Sequence, residues 1–325
     1  ETLAFIFDHV DKIFTFFFAV LSSGLFAQQI PDFSLFRENA FLYNPAVAGT
    51  DQASVITLSV RKQWTNIKSS PFTAIASYHT SLPKKNIGVG VSIFNDFIGP
   101  TSFTGISGSF AYNLVLSEFR RGISNYKVLS FGLAAGIMQY RINGNQIRLD
   151  QPQDDAIFRN RGSQYYPDAS FGVYYKSKTL FASASIPQLL NLTVPIEGQN
   201  GEQSKFKKMQ HYYAMFGGRI FLNKKEASGP NDKEFYIEPA FNFHYVINAP
   251  PQAMVSARFA MQEVFFVGGG WRSLNSIMME GGFTIKKAFS ISYAYDMGAG
   301  NVRRDVGQVH EISMKFKFKQ DFWSY

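Results

Sequence analysis

The chain has 325 residues; 16% are aromatic, only 17% are charged, and the mean hydropathy is -0.10. A typical soluble domain carries roughly 25% charged residues. Cysteine is absent, which excludes disulfides and thiolate metal sites. A chain rich in rings but not hydrophobic on average suits apolar residues that alternate with polar ones, and it argues against a bundle of transmembrane helices.

The net charge of +8 does not indicate a nucleic-acid-binding protein. Such proteins concentrate Lys and Arg in a basic patch or stripe. Here the basic residues occur as spaced pairs, and no cluster has aromatic residues interleaved with it. We therefore expect no nucleic-acid partner.

The only long apolar run begins at Lys12 and reads KIFTFFFAVLSSGLFAQQ. A basic residue, a mostly apolar run and a small residue, Ala27, are typical of a secretory signal peptide. The run is too short for a membrane-spanning helix, which needs about 20 residues. We interpret residues 1–27 as a signal peptide with a possible start-site extension over residues 1–11; the alternative is an N-terminal core helix.

Residues 28–52 follow the expected cleavage site as a separate segment. Its Asn44-Pro45 step is a turn signal, because proline fixes its own φ and restricts the residue before it. The step is either a plain turn that leads into the first strand, or part of a periplasmic segment that plugs the domain that follows or binds a partner.

From Ala53 onward, large apolar residues alternate with small or polar ones, which is the period of a β-strand. In GISGSFAYNLVLS, Phe110 and Leu114 belong to the bulky apolar set, and Ser107 and Asn113 belong to the slim polar set. About fourteen such segments, within a range of twelve to sixteen, follow one another, and most have about ten residues, a length that crosses a bilayer at a tilt.

Backbone groups in hydrocarbon must all be paired, so strands that cross a membrane must close into a barrel. We therefore expect residues 53–325 to be all-β, a transmembrane antiparallel β-barrel of the outer-membrane type with its bulky face toward lipid. A soluble β-sandwich would have shorter strands and a charged outer face. Charges are expected on the lumen side, because a charge on the lipid face costs about 2–4 kcal/mol at the midplane.

The charged residues expected in the lumen can neutralise one another. A buried guanidinium group needs carboxylate partners. The sequence predicts a network rather than an ion-selective gate. Its basic members are Arg61, Arg219, Arg258 and Arg272, and its acidic members are Glu238, Glu280 and Asp296.

If the N-terminus is periplasmic, the short turns of such a barrel face the periplasm and the long loops face outward. The two longest connections, about residues 143–167 and 191–208, fall on the outer side. The inner turns share a pair of basic residues, which serves either ordinary solubility or a basic collar that docks an acidic partner. These residues are Lys84, Lys85, Arg120, Arg121, Lys176, Lys178, Lys224, Lys225, Lys286 and Lys287.

A set of residues in the first hundred positions carries a resemblance to a known family. These residues are Tyr43, Asn44, Pro45, Ala46, Gly49, Arg61, Gln63, Trp64, Ser70, Pro71, Gly88, Gly90, Asp96, Gly99 and Pro100. With them the sequence resembles the PorP/SprF family of Bacteroidota outer-membrane proteins, which is associated with the type IX secretion system and gliding motility. The resemblance continues through Leu129–Gly132 and the later strands; Val47 stands where the family usually has an aromatic residue.

Trp64 is expected at the outer end of the first strand, in the aromatic girdle; the alternative is a substrate-binding role.

The resemblance implies an outer-membrane accessory of the secretion machinery that is needed for export or surface attachment of large adhesins. Its implied partners are periplasmic and outer-membrane components of that machinery and the secreted adhesin, and outer-membrane lipid surrounds it. The alternative is a pore or transporter for small hydrophobic or polar solutes, since a barrel of about fourteen strands is wide enough.

Catalytic motifs are missing from the sequence. The five His residues are scattered singly, and the chain contains no HExxH, no GxSxG and no phosphate-binding loop of the Walker type. We expect no catalytic residue, no cofactor and no metal site, so the protein is not expected to be an enzyme.

Overall fold

The computed structural model describes residues 32–82, 85–117, 126–143, 163–197, 203–222, 234–247, 249–262, 264–273, 276–298 and 307–319. The expected signal peptide lies outside the described residues. Of the part described, no helix has both the length and the apolar character that crossing a bilayer requires.

Strands make up most of the described chain. One helical turn, α1 (Ala40–Tyr43), and one 3-10 turn (Pro45–Val47) precede them. The strands are β1 (Ala53–Lys62), β2 (Phe72–Leu82), β3 (Ile87–Ile98), β4 (Thr101–Ser117), β5 (Lys127–Ile142), β6 (Gln164–Lys176), β7 (Leu180–Ile186), β8 (Thr193–Glu197), β9 (Gln203–Lys207), β10 (His211–Gly218), β11 (Ile220–Phe221), β12 (Phe235–Val246), β13 (Gln252–Met261), β14 (Phe265–Arg272), β15 (Ser276–Ile285), β16 (Phe289–Gly298) and β17 (Val309–Lys319).

Fourteen of the strands in the described ranges close into an antiparallel barrel. Neighbours in the chain pair with one another, and the first and last strands meet in a register that runs from Ala53 opposite Lys319 to Lys62 opposite His310. The wall also passes from β7 to β10 to β12, with β11 as a two-residue continuation beside β12, while β8 and β9 form a separate hairpin. The predicted fold and strand number are confirmed.

The two faces of the wall follow the alternation of the sequence. On β4, Phe110 is 51% exposed and Leu114 also lies on the outside, whereas Ala111 and Asn113 are buried within the barrel. The outer face of the other strands is likewise apolar, as with Leu133 and Ile137 of β5. Hydrocarbon is the solvent that such a face requires, so the bulky set faces lipid and the slim set lines the lumen.

Successive strands run in opposite directions, so the connections fall at two ends of the barrel. We call the end where β1 begins the turn end; it also holds the connections that contain Lys85, Lys178 and Lys286. The opposite end, which we call the loop end, holds the connection after β1 and the long segment that links β7 to β10.

A charge at the middle of the lipid face should destabilise the barrel strongly. Leu133→Arg, at the middle of β5 with 59% of the residue exposed, is expected to cost about 2–4 kcal/mol of unfolding free energy. Leu116→Arg, near the last residue of β4, should cost about 0–1 kcal/mol because it lies near the interface. Denaturant titration of both variants folded into lipid vesicles measures the difference, and equal costs would contradict the lipid assignment.

Candidate functional site

Residues 32–51, which we call the plug, lie inside the barrel. Phe33, Leu35, Phe36 and Tyr43 are almost fully buried. The plug starts toward the loop end, where Asp32 meets Arg272 of β14, and it reaches the turn end immediately before β1. The lumen is therefore occupied by the chain's own N-terminal segment.

The acidic residues of the plug are paired with cations of the wall. Asp32 lies 3.3 Å from a guanidinium nitrogen of Arg272. Glu38 lies 2.9 Å from Arg258 and 2.7 Å from the ammonium group of Lys315. These pairs lie at successive levels along the barrel axis, so they hold the plug at several heights.

Asp51, the last residue of the plug, pairs with Lys176 at the turn end. Lys176 is one of the basic turn residues that the sequence indicated as a possible docking site. It is partly buried, and its ammonium group contacts the plug. This lysine therefore joins the rim of the barrel to the point where the plug enters β1.

Arg37, the single basic residue of the plug, pairs with carboxylates of the wall. The guanidinium group of Arg37 lies 3.2 Å from Glu238 and 3.3 Å from Glu280, and it donates a 2.9 Å hydrogen bond to the hydroxyl of Ser256. Both carboxylates are held by wall cations as well, Glu280 by Arg258 and Glu238 by Arg219. The plug thus completes a network that spans the lumen.

The predicted wall network is present, with one difference. Arg258 meets Glu280 at 2.6 Å, Arg219 meets Glu238 at 3.0 Å and Arg272 meets Asp296 at 3.6 Å. Arg61 instead pairs with Glu311, at 2.7 Å, because β1 and β17 place these residues directly opposite each other at the closing seam. Sequence reasoning missed Glu311 and the four charged residues of the plug, Asp32, Arg37, Glu38 and Asp51.

Glu311 also holds the backbone of the plug. Its two carboxylate oxygens accept hydrogen bonds of 2.8 Å from the Ser34 N–H and 3.0 Å from the Leu35 N–H. The Ser34 hydroxyl donates to the carboxylate of Asp296 at 2.7 Å. A buried carboxylate with several donors is well satisfied, so these contacts fix the position of the plug near the loop end.

The plug environment shifts the pKa values of its ionisable groups. Burial raises the pKa of the Glu38 carboxyl, but the positive charges of Lys315 and Arg258 outweigh it and lower that pKa to about 2. Burial together with the charge of Arg258 lowers the pKa of the Arg37 guanidinium to about 10. Both groups remain ionised at neutral pH, so the ion pairs of the plug are formed.

The Tyr-Asn-Pro-Ala motif builds the middle of the plug. The side-chain oxygen of Asn44 accepts a hydrogen bond from the Ala46 N–H at 2.8 Å and so caps the 3-10 turn that begins at Pro45. Its amide nitrogen donates to the Val173 carbonyl at 2.9 Å and to the Ser183 hydroxyl at 2.8 Å. One buried side chain therefore both shapes the turn and attaches it to β6 and β7.

Tyr43 links the motif to β10, the strand that pairs with β7. Its hydroxyl accepts a hydrogen bond from the Phe33 N–H at 2.8 Å, and its ring stacks on Tyr213 at 4.7 Å between centroids. Tyr213 stacks in turn on His244, which forms a 2.8 Å hydrogen bond with His211. A column of four rings therefore runs from β10 and β12 to the plug.

Three lumen-facing glycines allow the plug backbone to touch the wall. A Cβ at Gly88 would clash with the Ala48 carbonyl, one at Gly132 with the backbone of Pro45 and Ala46, and one at Gly172 with the side chain of Asn44. Glycine in a strand marks such close approaches. These positions are slim because the plug packs directly on them.

The end of the motif turns the chain toward β1. Gly49 has a φ of +74°, in the left-handed region that glycine adopts without strain, and its N–H donates to the ring of His79 at 3.4 Å. The Asn113 side chain donates to the Ala48 carbonyl at 3.3 Å. This segment is therefore held through its backbone rather than through charge.

Gln63 and Trp64, which also carry the family resemblance, lie at the loop end, outside the lumen. The Gln63 N–H donates to the Pro71 carbonyl at 3.0 Å, and Trp64 has a φ of +53° with 42% of the residue exposed. They belong to the connection between β1 and β2. The structure separates them from the plug, and a place for Trp64 in the aromatic girdle stays a prediction.

Half of the basic turn residues lie in the described part of the chain. Lys85, Lys286 and Lys287 are exposed at the turn end, and Lys178 lies there too, 3.2 Å from Glu234. As Lys176 pairs with the plug, two of these five lysines have an acidic partner within the chain. Outside the described residues lie Lys84, Arg120, Arg121, Lys224 and Lys225.

One cavity lies beside the plug. It has a volume of about 50 Å³ and lies between Leu42 of the plug and lumen-facing residues that include Ser107, Asp168 and Gln188. A water molecule needs at least about 10–15 Å³ of such space, so this cavity has room for a few waters. Within the described ranges, no group of three or more His, Asp or Glu residues is placed to hold a metal ion.

Comparisons with known proteins give a family match and several similar solved structures. The family model described as "Type IX secretion system membrane protein PorP/SprF" matches residues 25–316. Among solved structures, the chain is similar to the Ralstonia pickettii toluene transporter TbuX, with a TM-score of 0.48, 10% identity and coverage of 86% of this chain and 93% of that chain.

Two further solved structures are also similar to the chain. A TodX monoaromatic hydrocarbon channel mutant has a TM-score of 0.46 and 10% identity, over 86% of this chain and 94% of that chain. The Acinetobacter baumannii outer membrane protein Omp33 has a TM-score of 0.38 and 9% identity, over 82% and 99%. No curated protein sequence matches the chain.

Gly132→Ala should loosen the plug. The new methyl group would meet the backbone at Ala46, and such overpacking costs about 1–3 kcal/mol. We expect trypsin to cleave after Arg37 faster than in wild type, with the cleavage monitored by mass spectrometry. The matched control is Gly108→Ala, where the methyl group meets open space on the outer face. Equal protection of Arg37 in both variants would show that the plug does not depend on this contact.

The contribution of Glu38 to stability should depend on pH. Because its pKa is lower in the folded protein than in the unfolded chain, its stabilisation is complete above about pH 5 and is lost as the pH falls toward 2. The melting temperature of wild type should exceed that of Glu38→Gln at pH 7, and the gap should close between pH 4.5 and 2.

The matched control for this pH dependence is Glu234→Gln. Glu234 forms an exposed ion pair with Lys178 at the turn end, so its removal should change the melting temperature little at any pH. A gap for Glu38→Gln that does not vary with pH would contradict the role of the ionised carboxylate.

Proposed function

The chain belongs to the PorP/SprF family of type IX secretion system membrane proteins, and we propose that it is an accessory of that system in the outer membrane. In this role it supports secretion or surface attachment of large adhesins through protein–protein contacts. The observation that carries the proposal is the family match over residues 25–316. The turn end, where the plug joins β1, then faces the periplasm, and Asp32 at the start of the plug lies toward the opposite, loop end.

The occupied lumen supports a role in protein contacts over one in solute passage. A pore or transporter for small hydrophobic or polar solutes needs a route along the barrel axis. Tyr43 and Asn44 of the plug are fully buried in that lumen, where Tyr43 stacks on Tyr213 of β10 and Asn44 donates to Ser183 of the neighbouring strand β7. While the plug is in place, the surfaces left for partners are the two ends of the barrel.

Deletion of the gene distinguishes the two functions. An accessory role predicts that large adhesins disappear from the cell surface while uptake and permeability for small solutes stay unchanged. Reduced solute uptake with normal adhesin display would support the transporter instead. Re-expression of the wild-type chain is the control for both readouts.

The turn end offers a basic surface for the periplasmic machinery. Lys85, Lys286 and Lys287 are exposed there, in connections between different strand pairs. We include them in the proposal as a docking site for an acidic component of the system. Attraction of this kind raises the association rate and weakens with salt.

Removal of the three exposed lysines should weaken that docking. We expect Lys85→Ala/Lys286→Ala/Lys287→Ala to recover at least about tenfold less of the periplasmic components in a pull-down at low salt. The control removes three exposed charges at the loop end, Lys62→Ala/Lys68→Ala/Arg141→Ala. Equal recovery with both triple variants would assign the lysines to turn solubility alone.

A further inference from the structure

The plug and the wall around it are complementary in charge. The plug carries three acids, Asp32, Glu38 and Asp51, and one base, Arg37. Each acid meets at least one cation of the wall. If the plug left, Lys315 and Lys176 would lose the carboxylates they contact, while Arg258 and Arg272 would keep Glu280 and Asp296. The vacated wall would then favour a negatively charged segment.

The wall also recognises the plug as a peptide backbone. The side chains of Ser185 and Asn113 donate to the Tyr43 and Ala48 carbonyls, and Glu311 accepts from two N–H groups of the plug. The glycines of β3, β5 and β6 give the backbone room to approach. These contacts recognise main-chain groups and small residues, and another polypeptide can also present such groups.

The connection between plug and barrel allows exchange. Within the described residues the plug adds no strand to the barrel sheet. It continues into the wall through Gln52, which has a φ of +49°, directly after Asp51. The plug can therefore leave its seat without breaking a hydrogen-bonded ladder between strands.

We propose that the lumen wall is a binding site for an acidic polypeptide segment, and that the plug is an internal ligand which such a segment of a partner protein displaces. The recognised segment carries carboxylates at the levels of Arg272, Arg258 with Lys315, and Lys176, and small residues against the glycines of β3 and β5. This inference concerns the chemistry of the lumen and does not depend on which secretion component or cargo supplies the segment.

The covalent link between plug and barrel determines how strongly the plug competes with a free segment for the lumen wall. A ligand on a short linker has an effective concentration of the order of millimolar. A free peptide of the same sequence therefore binds wild type poorly, and it binds better when the resident plug is weakened. Glu38→Gln weakens the plug without changing the wall, because Glu38 is a plug residue.

The test uses the full chain and a synthetic, fluorescently labelled peptide of residues 32–51. We expect the peptide to bind Glu38→Gln at least tenfold more tightly than wild type, measured by fluorescence anisotropy in detergent. A control peptide with Asp32→Asn, Glu38→Gln and Asp51→Asn should bind at least tenfold more weakly than the natural sequence. Asp51→Asn provides a second weakened chain if Glu38→Gln folds in low yield.

A disulfide shows whether the peptide takes the place of the plug. The chain has no cysteine, and the Ser59 hydroxyl of β1 donates to the Asn39 side chain at 2.7 Å. We add Asn39→Cys and Ser59→Cys to the Glu38→Gln chain. The reduced triple variant should bind the peptide, and the oxidised one, in which the disulfide ties the plug to β1, should not. The proposal is overturned if neither weakened chain binds the peptide, if the neutral peptide binds equally, or if binding survives oxidation.

Discussion

The need to pair every backbone N–H and C=O group in hydrocarbon determines the rest of the structure. It requires the strands to close on themselves, and β1 and β17 do so over ten residue pairs. Closure of fourteen strands creates an interior that short side chains alone leave partly empty. Because β1 begins at the turn end, the residues before it lie at the mouth of that interior, and the plug fills the space.

The buried charges determine the position of the plug in the lumen more than they contribute to its binding free energy. Desolvation offsets much of the attraction within a buried ion pair, but removal of one partner leaves a costly isolated charge. Arg37 between Glu238 and Glu280, and Glu38 between Arg258 and Lys315, therefore reject other positions of the plug. The apolar column from Tyr43 to Tyr213 and the glycine contacts supply packing that the charges do not.

Local periodicity allowed the wall to be predicted from the sequence, and the long-range contacts of the plug were not predictable in the same way. The alternation, as around Phe110, places each side chain on one face of a strand, which is why Arg258 and Glu280 could both be assigned to a network in the lumen, although not as a pair. Glu38 meets residues more than 200 positions away, and no local pattern marks such partners. The alternation alone assigns Gly132 to the small side chains of its strand, and its contact with the Tyr43–Ala46 motif depends on the placement of the plug beside β5.

The two halves of the plug differ in how readily another segment can replace them. Residues 44–49 fit the wall through a capped turn and glycine contacts close to the covalent link, so their effective concentration at the wall is high. Asp32 and Arg37 lie further from the link and bind through charged groups that any acidic or basic side chain at the same level can supply. Exchange would therefore begin at the loop end and proceed toward Lys176, so that the last contact to break is the one nearest the periplasmic rim in the proposed orientation.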